Sequence, residues 1–188
     1  MEIIGYVYFF AFLSWLVFEG YLIVKDLFRD QKHAQDQGTL RWLTFCISLA
    51  FLGGFSFINY ARFFATDHYL TIYIFTLIAL AGLIIRILAV LTLGKNFQRK
   101  IISSNDQNVT ISGPFEFIRH PSYLGLILSV VGIIGAWGNI AATVFAFIIV
   151  VCGLVPRIIL EEEYLSRNIP GYLKFMRKTK WRLVPFIW

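Results

Sequence analysis

Long apolar runs separated by short polar segments dominate this chain of 188 residues. Each of the first three runs can cross a membrane, because roughly 20 helical residues span the hydrocarbon core. Two shorter runs follow, separated only by Gly138-Asn139, a dipeptide typical of a turn. The runs comprise residues 3–24, 42–60, 69–93, 124–137 and 140–155. This pattern predicts an all-α, polytopic membrane protein with about five transmembrane helices, the last two forming a hairpin.

We expect a single integral membrane domain over residues 1–188, with three transmembrane helices in 1–93 and a C-terminal cofactor-binding half in 94–188. The N-terminus lacks a basic region and a small-residue cleavage site, so the first run is predicted to be a retained anchor. Gly53-Gly54 lies within the second run, where small residues permit close helix contact. The tail, 157–188, combines charged and aromatic residues and is predicted to lie against the membrane surface or to cap the bundle.

The composition agrees with a membrane protein, since 58% of the residues are hydrophobic and 15% are charged, against about 25% charged in soluble domains. The formal net charge is +6. Its basic residues lie between the apolar runs, where a bilayer explains them better than a nucleic acid partner does. Lys and Arg concentrate in 25–41, 94–119 and 157–188. The positive-inside rule therefore predicts these segments in the cytoplasm and the N-terminus outside.

Few polar residues interrupt the apolar runs. Cys46 and Cys152 have no thiol or histidine at ligand spacing, so we interpret both as packing residues and predict no metal site. Arg86 lies inside the third run, where a charge costs at least ~2.5 kcal/mol at mid-bilayer unless it finds a partner or the headgroups. We interpret Arg86 as reaching the headgroups. Pairing with Glu19 or with a bound anion is the alternative.

A candidate site begins where the polar loop meets the fourth run, in residues 113–125. Proline is tolerated in the first turn of a helix, and the residue before it is pushed out of helical conformation. We therefore predict that Pro121 opens the fourth helix and that His120 is non-helical. The free backbone donors and the dipole of that first turn suit a carboxylate or phosphate. Alternatively, Arg119 and His120 only flank the membrane and Tyr123 is an interfacial residue.

Arg157 and Glu161 form a second candidate cluster, because residues one helical turn apart share a face. They could form an ordinary surface ion pair, although Arg before Glu is the weaker order. Alternatively, Arg157 holds an anionic acceptor through its planar fork while Glu161 holds a cationic or hydroxyl-bearing ligand. Neither a phosphate-binding P-loop nor a G-x-G-x-x-G turn occurs, so a cofactor must bind to the bundle and its loops.

The motifs of the C-terminal half resemble those of the isoprenylcysteine carboxyl methyltransferase family, integral membrane enzymes related to the phospholipid N-methyltransferases. The matching residues are the Gly113-Pro114-Phe115 turn, Arg-His-Pro-Ser-Tyr at 119–123, Arg157 with Glu161-Glu162 and Leu165, Gly171-Tyr172, and Arg-Leu-Val-Pro at 182–185. The resemblance covers about 96–188. In the first half, only the number of spans is compatible.

The resemblance implies a helical membrane fold whose cytoplasmic part binds S-adenosylmethionine, with a lipid or lipidated acceptor entering from the bilayer. It implies that Glu161 contacts the cofactor and acts in catalysis, and that Arg157 positions the acceptor's reacting group. The other cofactor-binding residues that it implies are Lys100, Gln107, Asn108, Val109, Thr110, Phe115, His120, Pro121, Ser122 and Tyr123. Phe115 and Gln107 stand where family members often have tyrosine and histidine. The resemblance implies no metal.

Our leading hypothesis is an S-adenosylmethionine-dependent methyltransferase, most specifically one that methylates the carboxylate of a prenylcysteine-like substrate. Such a carboxylate is already ionised, whereas an amine or thiol acceptor would need a base, for which His120 or one of residues 161–163 is the candidate. A nicotinamide-dependent membrane reductase is an alternative that predicts a longer chain with more spans. A non-catalytic transport component predicts polar residues lining several spans, and this chain has few.

Overall fold

The computed structural model describes residues 2–28, 37–60, 68–94, 97 and 109–188. Within this part the secondary structure is helical without strands, which confirms the predicted all-α class. A short 3-10 helix, Gly113–Glu116, precedes α4. The six α-helices of the described part are α1 (Glu2–Leu27), α2 (Thr39–Tyr60), α3 (His68–Leu93), α4 (Pro121–Gly135), α5 (Ile140–Asn168) and α6 (Tyr172–Lys178).

The helices have the dimensions of an integral membrane protein. In the described part of the chain, four are long and apolar enough to cross a bilayer, namely α1, α2, α3 and α5. The apolar helix α4 has 15 residues and rises roughly 22 Å, less than the hydrocarbon thickness of about 30 Å. The predicted polytopic membrane fold is therefore confirmed, with α4 as its shortest apolar helix.

Helix α5 extends further than its apolar run. The run was predicted to end at Val155, but the helix continues through Pro156 to Asn168. Proline removes one backbone hydrogen bond from a helix, and membrane helices tolerate this loss where neighbouring helices pack around them. The charged residues after Pro156 therefore stay on the same helix, and two of them, Arg157 and Glu162, are buried in the bundle.

Glycines let α3 and α4 approach until their backbones touch. A Cβ atom on Gly132 would lie 2.4 Å from the backbone nitrogen of Ala79, and one on Gly125 would lie 2.6 Å from the carbonyl oxygen of Gly82. The predicted contact at Gly53-Gly54 also forms, since a Cβ on Gly53 would lie 2.3 Å from the ring of Phe145 in α5. Small residues thus hold two helix pairs together, α3 with α4 and α2 with α5.

The apolar side chains divide between a core and the membrane-facing surface. Val130 of α4 and Ala146, Val150 and Leu154 of α5 are completely buried where the helices meet. Large apolar side chains on α1, α2 and α3 are exposed; Leu52, for example, has 70% of its surface accessible. Exposed apolar side chains on helices of spanning length are expected where lipid is the solvent.

The predicted turn between α4 and α5 is present at Gly138-Asn139. Gly138 adopts a φ of 75°, a left-handed conformation that glycine reaches without a Cβ clash. The Asn139 side chain caps α5 by accepting a hydrogen bond from the Ala142 amide at 3.0 Å, and it also donates to the Phe57 carbonyl of α2. This short turn makes α4 and α5 an antiparallel hairpin, so the C-terminal part of α5 returns toward the start of α4.

The interpretation of Arg86 as reaching the headgroups is wrong. Its guanidinium pairs with the Glu19 carboxylate of α1, with Nη2 donating to Oε2 at 3.0 Å, and the two side chains are only 6% and 13% exposed. Arg86 lies seven residues before the end of α3 at Leu93, roughly 10 Å along the axis, and its side chain points between α1 and α4. A carboxylate at the same depth of the bundle is therefore its partner.

The two cysteines lie in different environments. Cys46 is buried against Gly153 of α5, as its interpretation as a packing residue predicted. Cys152 is exposed on the outer surface of α5, so its interpretation as a packing residue is wrong. Its backbone carbonyl accepts a hydrogen bond from the Trp42 indole at 3.3 Å.

Gly132 lies at the backbone contact between α3 and α4. We expect Gly132→Ala to destabilise the protein by about 1–3 kcal/mol, because the added methyl group must push two backbones apart. Gly20→Ala is the matched control, since nothing lies within 4 Å of a Cβ at that position. Thermal unfolding in detergent measures both. Equal unfolding temperatures for the two variants would contradict the proposed backbone contact.

Candidate active site

The site is built around the start of α4. His120 is the N-cap residue, with φ −125° and ψ 58°, and Pro121 occupies the first turn. Both features confirm the prediction that His120 is non-helical and that Pro121 opens the helix. The amides of Tyr123 and Leu124 donate to the His120 carbonyl at 3.1 and 3.2 Å. The first turn thus has a defined geometry that sets the direction of the Tyr123 side chain.

The Tyr123 hydroxyl bridges two charged residues of α5. It donates to Oε2 of Glu161 at 2.6 Å and accepts from Nε of Arg157 at 2.9 Å. A phenol has one proton to give and lone pairs to accept with, so these two bonds use it in both directions. Arg157 and Glu161 are therefore connected through a side chain of α4, and Arg157 is buried, with 2% of its surface exposed.

The other end of the Arg157 guanidinium reaches the N-terminal half of the chain. Its Nη1 donates to the hydroxyl of Thr39 in the first turn of α2, at 3.1 Å. Thr39 was not among the residues predicted from the sequence. Its short side chain lies in no recognisable motif, so sequence patterns offered no signal for it. The contact means that α2 helps to set the position of Arg157.

Glu162 is the most strongly bound carboxylate near the start of α4. Its Oε1 lies 3.0 Å from Nε2 of His120, and its Oε2 accepts from Nε of Arg182 at 2.9 Å. Nε of Arg119 lies 3.2 Å from Oε1 in an ion pair rather than a directed hydrogen bond. Glu162 is 3% exposed, and a carboxylate at such a depth requires partners of this kind.

The sequence contained a signal for the burial of Glu162. It follows Leu154 and Ile158 at intervals of four residues, and both of these are completely buried. Residues at this spacing lie along one face of a helix, so Glu162 continues an apolar, inward-facing stripe. From the sequence, Glu162 was a residue of the family motif and one of four candidate bases, with no prediction that it is buried. The neighbouring Glu163 is exposed and pairs with Arg167 at 2.6 Å.

The C-terminal segment caps the bundle at this site, the second of the two predicted placements. The Arg119 and His120 amides donate to the carbonyls of Trp181 and Arg182 at 2.8 and 2.9 Å. Leu183 is buried in the core that the helices form. These backbone bonds, together with the ion pair between Arg182 and Glu162, tie residues 181–183 to the start of α4.

Tyr172 of α6 lies close to both carboxylates. Its side chain is buried, and it packs with Phe115 and Phe175 in a small apolar cluster beside the bundle. Burial raises the pKa of Tyr172 far above its usual value, and the nearby negative charges of Glu161 and Glu162 raise the pKa further. The Tyr172 phenol therefore keeps its proton and forms part of the wall next to these acids.

The structure brings six of the predicted site residues together, namely His120, Pro121, Ser122, Tyr123, Arg157 and Glu161. The His120 ring stacks on that of Tyr123, with centroids 5.5 Å apart. Phe115 is buried in the apolar cluster with Tyr172, against which Val109 packs, and Thr110 is half-buried. The predicted cofactor residues Lys100, Gln107 and Asn108 lie outside the described residues.

These observations define an integral membrane protein with a hydrogen-bonded, charged site at one end of its helical bundle. The model of the isoprenylcysteine carboxyl methyltransferase family matches residues 74–167, half of the chain. The chain belongs to this family and is therefore a membrane methyltransferase. No individual curated protein matches it significantly.

The matched region contains only part of the site. It contains the start of α4 and the Arg157 and Glu161 side chains of α5, together with the Tyr123 hydroxyl between them. Thr39 of α2 and Arg182 of the C-terminal segment lie outside it. The central hydrogen-bond chain therefore lies within the matched region, while two further contacts of the site come from other parts of the sequence.

The adjacent residues Glu162 and Glu163 differ in burial, since Glu162 is buried and Glu163 is exposed. Glu162→Gln should destabilise the protein by about 3–5 kcal/mol, because it leaves the buried Arg119 guanidinium without its negative partner and also removes the ion pair with Arg182. Glu163→Gln is the matched control and should change stability by less than about 0.5 kcal/mol, since its ion pair is exposed. Thermal unfolding and tryptic cleavage at Lys178 and Lys180 measure the effect. Similar stability and cleavage for the two variants would show that Glu162 does not anchor the C-terminal segment.

Proposed function

We propose that this protein transfers a methyl group from S-adenosylmethionine to a membrane-embedded or lipidated acceptor, most specifically to the carboxylate of a prenylcysteine-like substrate. The observation that carries this proposal is the hydrogen-bond chain from Arg157 through Tyr123 to Glu161. It places a cation and an anion on opposite sides of one phenol, at the start of α4. The family match over residues 74–167 supports the same reaction class.

The residues present fit S-adenosylmethionine and an anionic acceptor together. The cofactor carries positive charge on its sulfonium and amino groups, and the half-buried Glu161 carboxylate is a suitable partner for positive or hydroxyl-bearing groups. The acceptor carboxylate is negative, and the Arg157 guanidinium is a suitable partner for it. When bound, the cofactor supplies an activated methyl group, so the protein needs no metal for this chemistry.

The role of the chain's own residues is alignment. Arg157 binds and orients the acceptor carboxylate, while Glu161 holds the cofactor on the other side of the Tyr123 hydroxyl. The bonds of 2.9 and 2.6 Å to this hydroxyl keep the two charged groups at a fixed separation. Holding two reactants in line is worth several kcal/mol of a displacement barrier, of the order of 7–11 in well-oriented cases.

The occupation of the candidate bases favours a carboxylate acceptor over an amine or thiol. His120 and Glu162 bind each other, and Glu162 also neutralises two arginines. Glu163 is exposed and paired with Arg167, and Glu161 accepts the hydrogen bond of the Tyr123 hydroxyl and is assigned to the cofactor. An amine or thiol has to lose a proton during methylation, whereas a carboxylate does not. A site whose possible bases are already engaged is therefore better suited to an acceptor that arrives ionised.

The proposal includes an orientation in the membrane. The start of α4, the C-terminal part of α5 and the tail belong to segments rich in Lys and Arg. The positive-inside rule puts such segments in the cytoplasm, so we place the site at the cytoplasmic face and the N-terminus outside. The substrate's lipid portion would then reach the site from the bilayer.

Two measurements test the proposed function. Isothermal titration of the purified, folded protein should show binding of S-adenosylmethionine and none of NADPH. Labelled cofactor should then transfer its methyl group to a prenylcysteine analogue in preference to phosphatidylethanolamine or a small thiol. Binding of NADPH alone would indicate a reductase, and preferential transfer to the lipid or the thiol would replace the carboxylate as acceptor.

Glu161→Gln should weaken S-adenosylmethionine binding about ten- to hundredfold, because the neutral amide loses a charge-assisted interaction with the cofactor. The unfolding temperature should change little, since Glu161 is only half-buried. Titration calorimetry measures the dissociation constant, with Glu163→Gln as the matched acidic control on the same helix. An unchanged dissociation constant for Glu161→Gln would remove this residue from the cofactor site.

Arg157→Lys should reduce kcat about 100-fold, because an ammonium group keeps the charge but loses the planar fork that orients a carboxylate. We expect the affinity for S-adenosylmethionine to change much less, since the proposed role of Arg157 is on the acceptor side. Steady-state kinetics with a prenylcysteine analogue and calorimetry with the cofactor separate the two effects. Equal losses in turnover and in cofactor affinity would show that Arg157 does not act on the acceptor.

A further inference from the structure

Arg86 is a buried charge beside the candidate site that the proposed chemistry does not use. Its ion pair with Glu19 lies between α1 and α3, within helices of spanning length. Stability alone does not require such a pair, because well-packed apolar residues of similar volume often stabilise a protein equally well or better. The remaining contacts of the guanidinium are therefore informative.

The second partner of Arg86 is Ser122, in the first turn of α4. Its Nη1 donates to both the backbone carbonyl and the side-chain hydroxyl of Ser122, each at 3.0 Å. A guanidinium nitrogen of this kind carries two N–H groups, so it can make both bonds at once. Ser122 directly precedes Tyr123, whose hydroxyl binds Arg157 and Glu161. One side chain of α3 thus holds the turn from which the central phenol projects.

The backbone of α3 contacts α4 at the same level. A Cβ atom added to Gly125 would lie 2.7 Å from the backbone nitrogen of Arg86 and 2.8 Å from the Cβ of Arg86. This contact sets the distance between the two helices. The paired hydrogen bonds to Ser122 add a restraint on the first turn of α4 itself, and Glu19 holds the guanidinium in the orientation that makes them.

We propose that Arg86 is a positioning residue for the cofactor side of the site, with Glu19 as its counter-ion. The cofactor part of this inference rests on the proposed function, in which Ser122, Tyr123 and Glu161 bind S-adenosylmethionine. Arg86 does not touch the reacting groups. It acts through Ser122 by fixing the first turn of α4, and so couples α1 and α3 to the site.

A charge exchange separates positioning from simple charge balance. In Arg86→Met, we expect the dissociation constant for S-adenosylmethionine to rise about tenfold, the effect of losing hydrogen bonds from a charged donor. The KM for the acceptor should stay within about twofold, because Arg157 keeps its hydrogen bond to Thr39 of α2. Adding Glu19→Arg to Arg86→Glu should restore thermal stability relative to Arg86→Met, since the opposite charges are again paired. The double variant should not restore the affinity for S-adenosylmethionine, because the carboxylate that Arg86→Glu introduces cannot donate to the Ser122 carbonyl.

Amide hydrogen exchange provides a readout that does not depend on any ligand. The Tyr123 and Leu124 amides bind the His120 carbonyl in the first turn, and we expect their exchange to be about tenfold faster in Arg86→Met and in the charge-exchange variant. Unchanged exchange in Arg86→Met would overturn the proposal. Restoration of slow exchange by the charge exchange would also overturn it, because the ion pair alone would then suffice.

Two further variants keep the test decisive if the charge-exchange protein does not fold. Leu22→Ala removes a buried contact between α1 and α3 without touching the ion pair, and it should lower stability while leaving exchange and cofactor affinity unchanged. Glu19→Gln removes the charge that orients Arg86 but leaves its donors in place, so the dissociation constant for S-adenosylmethionine should rise less than in Arg86→Met. If Leu22→Ala reproduced the faster exchange of Arg86→Met, loosening of α1 would explain the effect and Arg86 would have no positioning role.

The two proposals can fail separately. A wild-type protein that does not bind S-adenosylmethionine would overturn the proposed function, whereas the exchange measurements would still decide whether Arg86 fixes the first turn of α4. A wild-type protein that binds the cofactor, together with an Arg86→Met variant that binds it equally well, would overturn only the positioning role.

Discussion

Buried charges that must find partners in a low-dielectric interior organise this protein around the first turn of α4. Three of the four residues from the cap His120 to Tyr123 are held from different directions. Glu162 of α5 holds His120, Arg86 of α3 holds Ser122, and the α5 side chains Arg157 and Glu161 hold Tyr123. An unpaired charge at any of these positions would be expensive. These charged side chains therefore determine the position of the first turn of α4. That position determines where the Tyr123 hydroxyl lies.

Close helix packing makes these polar contacts possible. Glycines at 82, 125 and 132 let the backbones of α3 and α4 touch, which brings Arg86 within reach of Ser122. The tight turn at Gly138-Asn139 sends α5 back along α4, so the acids near its C-terminal end meet the residues at the start of α4. The apolar core contributes most of the contacts between helices. The glycines and the turn decide which polar side chains can meet.

The arrangement connects the charge pattern to methyl transfer. In the proposed reaction the donor is positively charged and the acceptor is negatively charged, and the protein has to hold the two in line, each beside a side chain of opposite charge. A phenol between a carboxylate and a guanidinium meets this requirement, since it binds both charged groups and keeps them apart. The membership of the chain in the isoprenylcysteine carboxyl methyltransferase family agrees with this chemistry. Contacts from Thr39 and Arg182, outside the matched region, complete the support of the site.

Periodicity, turn residues and motifs were sufficient to predict the helical membrane fold, the hairpin turn, the non-helical His120 and the grouping of the start of α4 with Arg157 and Glu161. The fold, the hairpin turn and the non-helical His120 depend on local conformation and on the length of apolar runs, which a sequence displays directly. The grouping of the two clusters in one site was implied by the resemblance to a known family. The partner of Arg86, the burial of Glu162 and the contact with Thr39 were decided by the tertiary structure. Consecutive helical residues point about 100° apart, so the choice of the acid that faces inward depends on how α5 is rotated against its neighbours. Likewise, only the relative depth of α1 and α3 puts Glu19 beside Arg86, and no pattern within either helix specifies that depth.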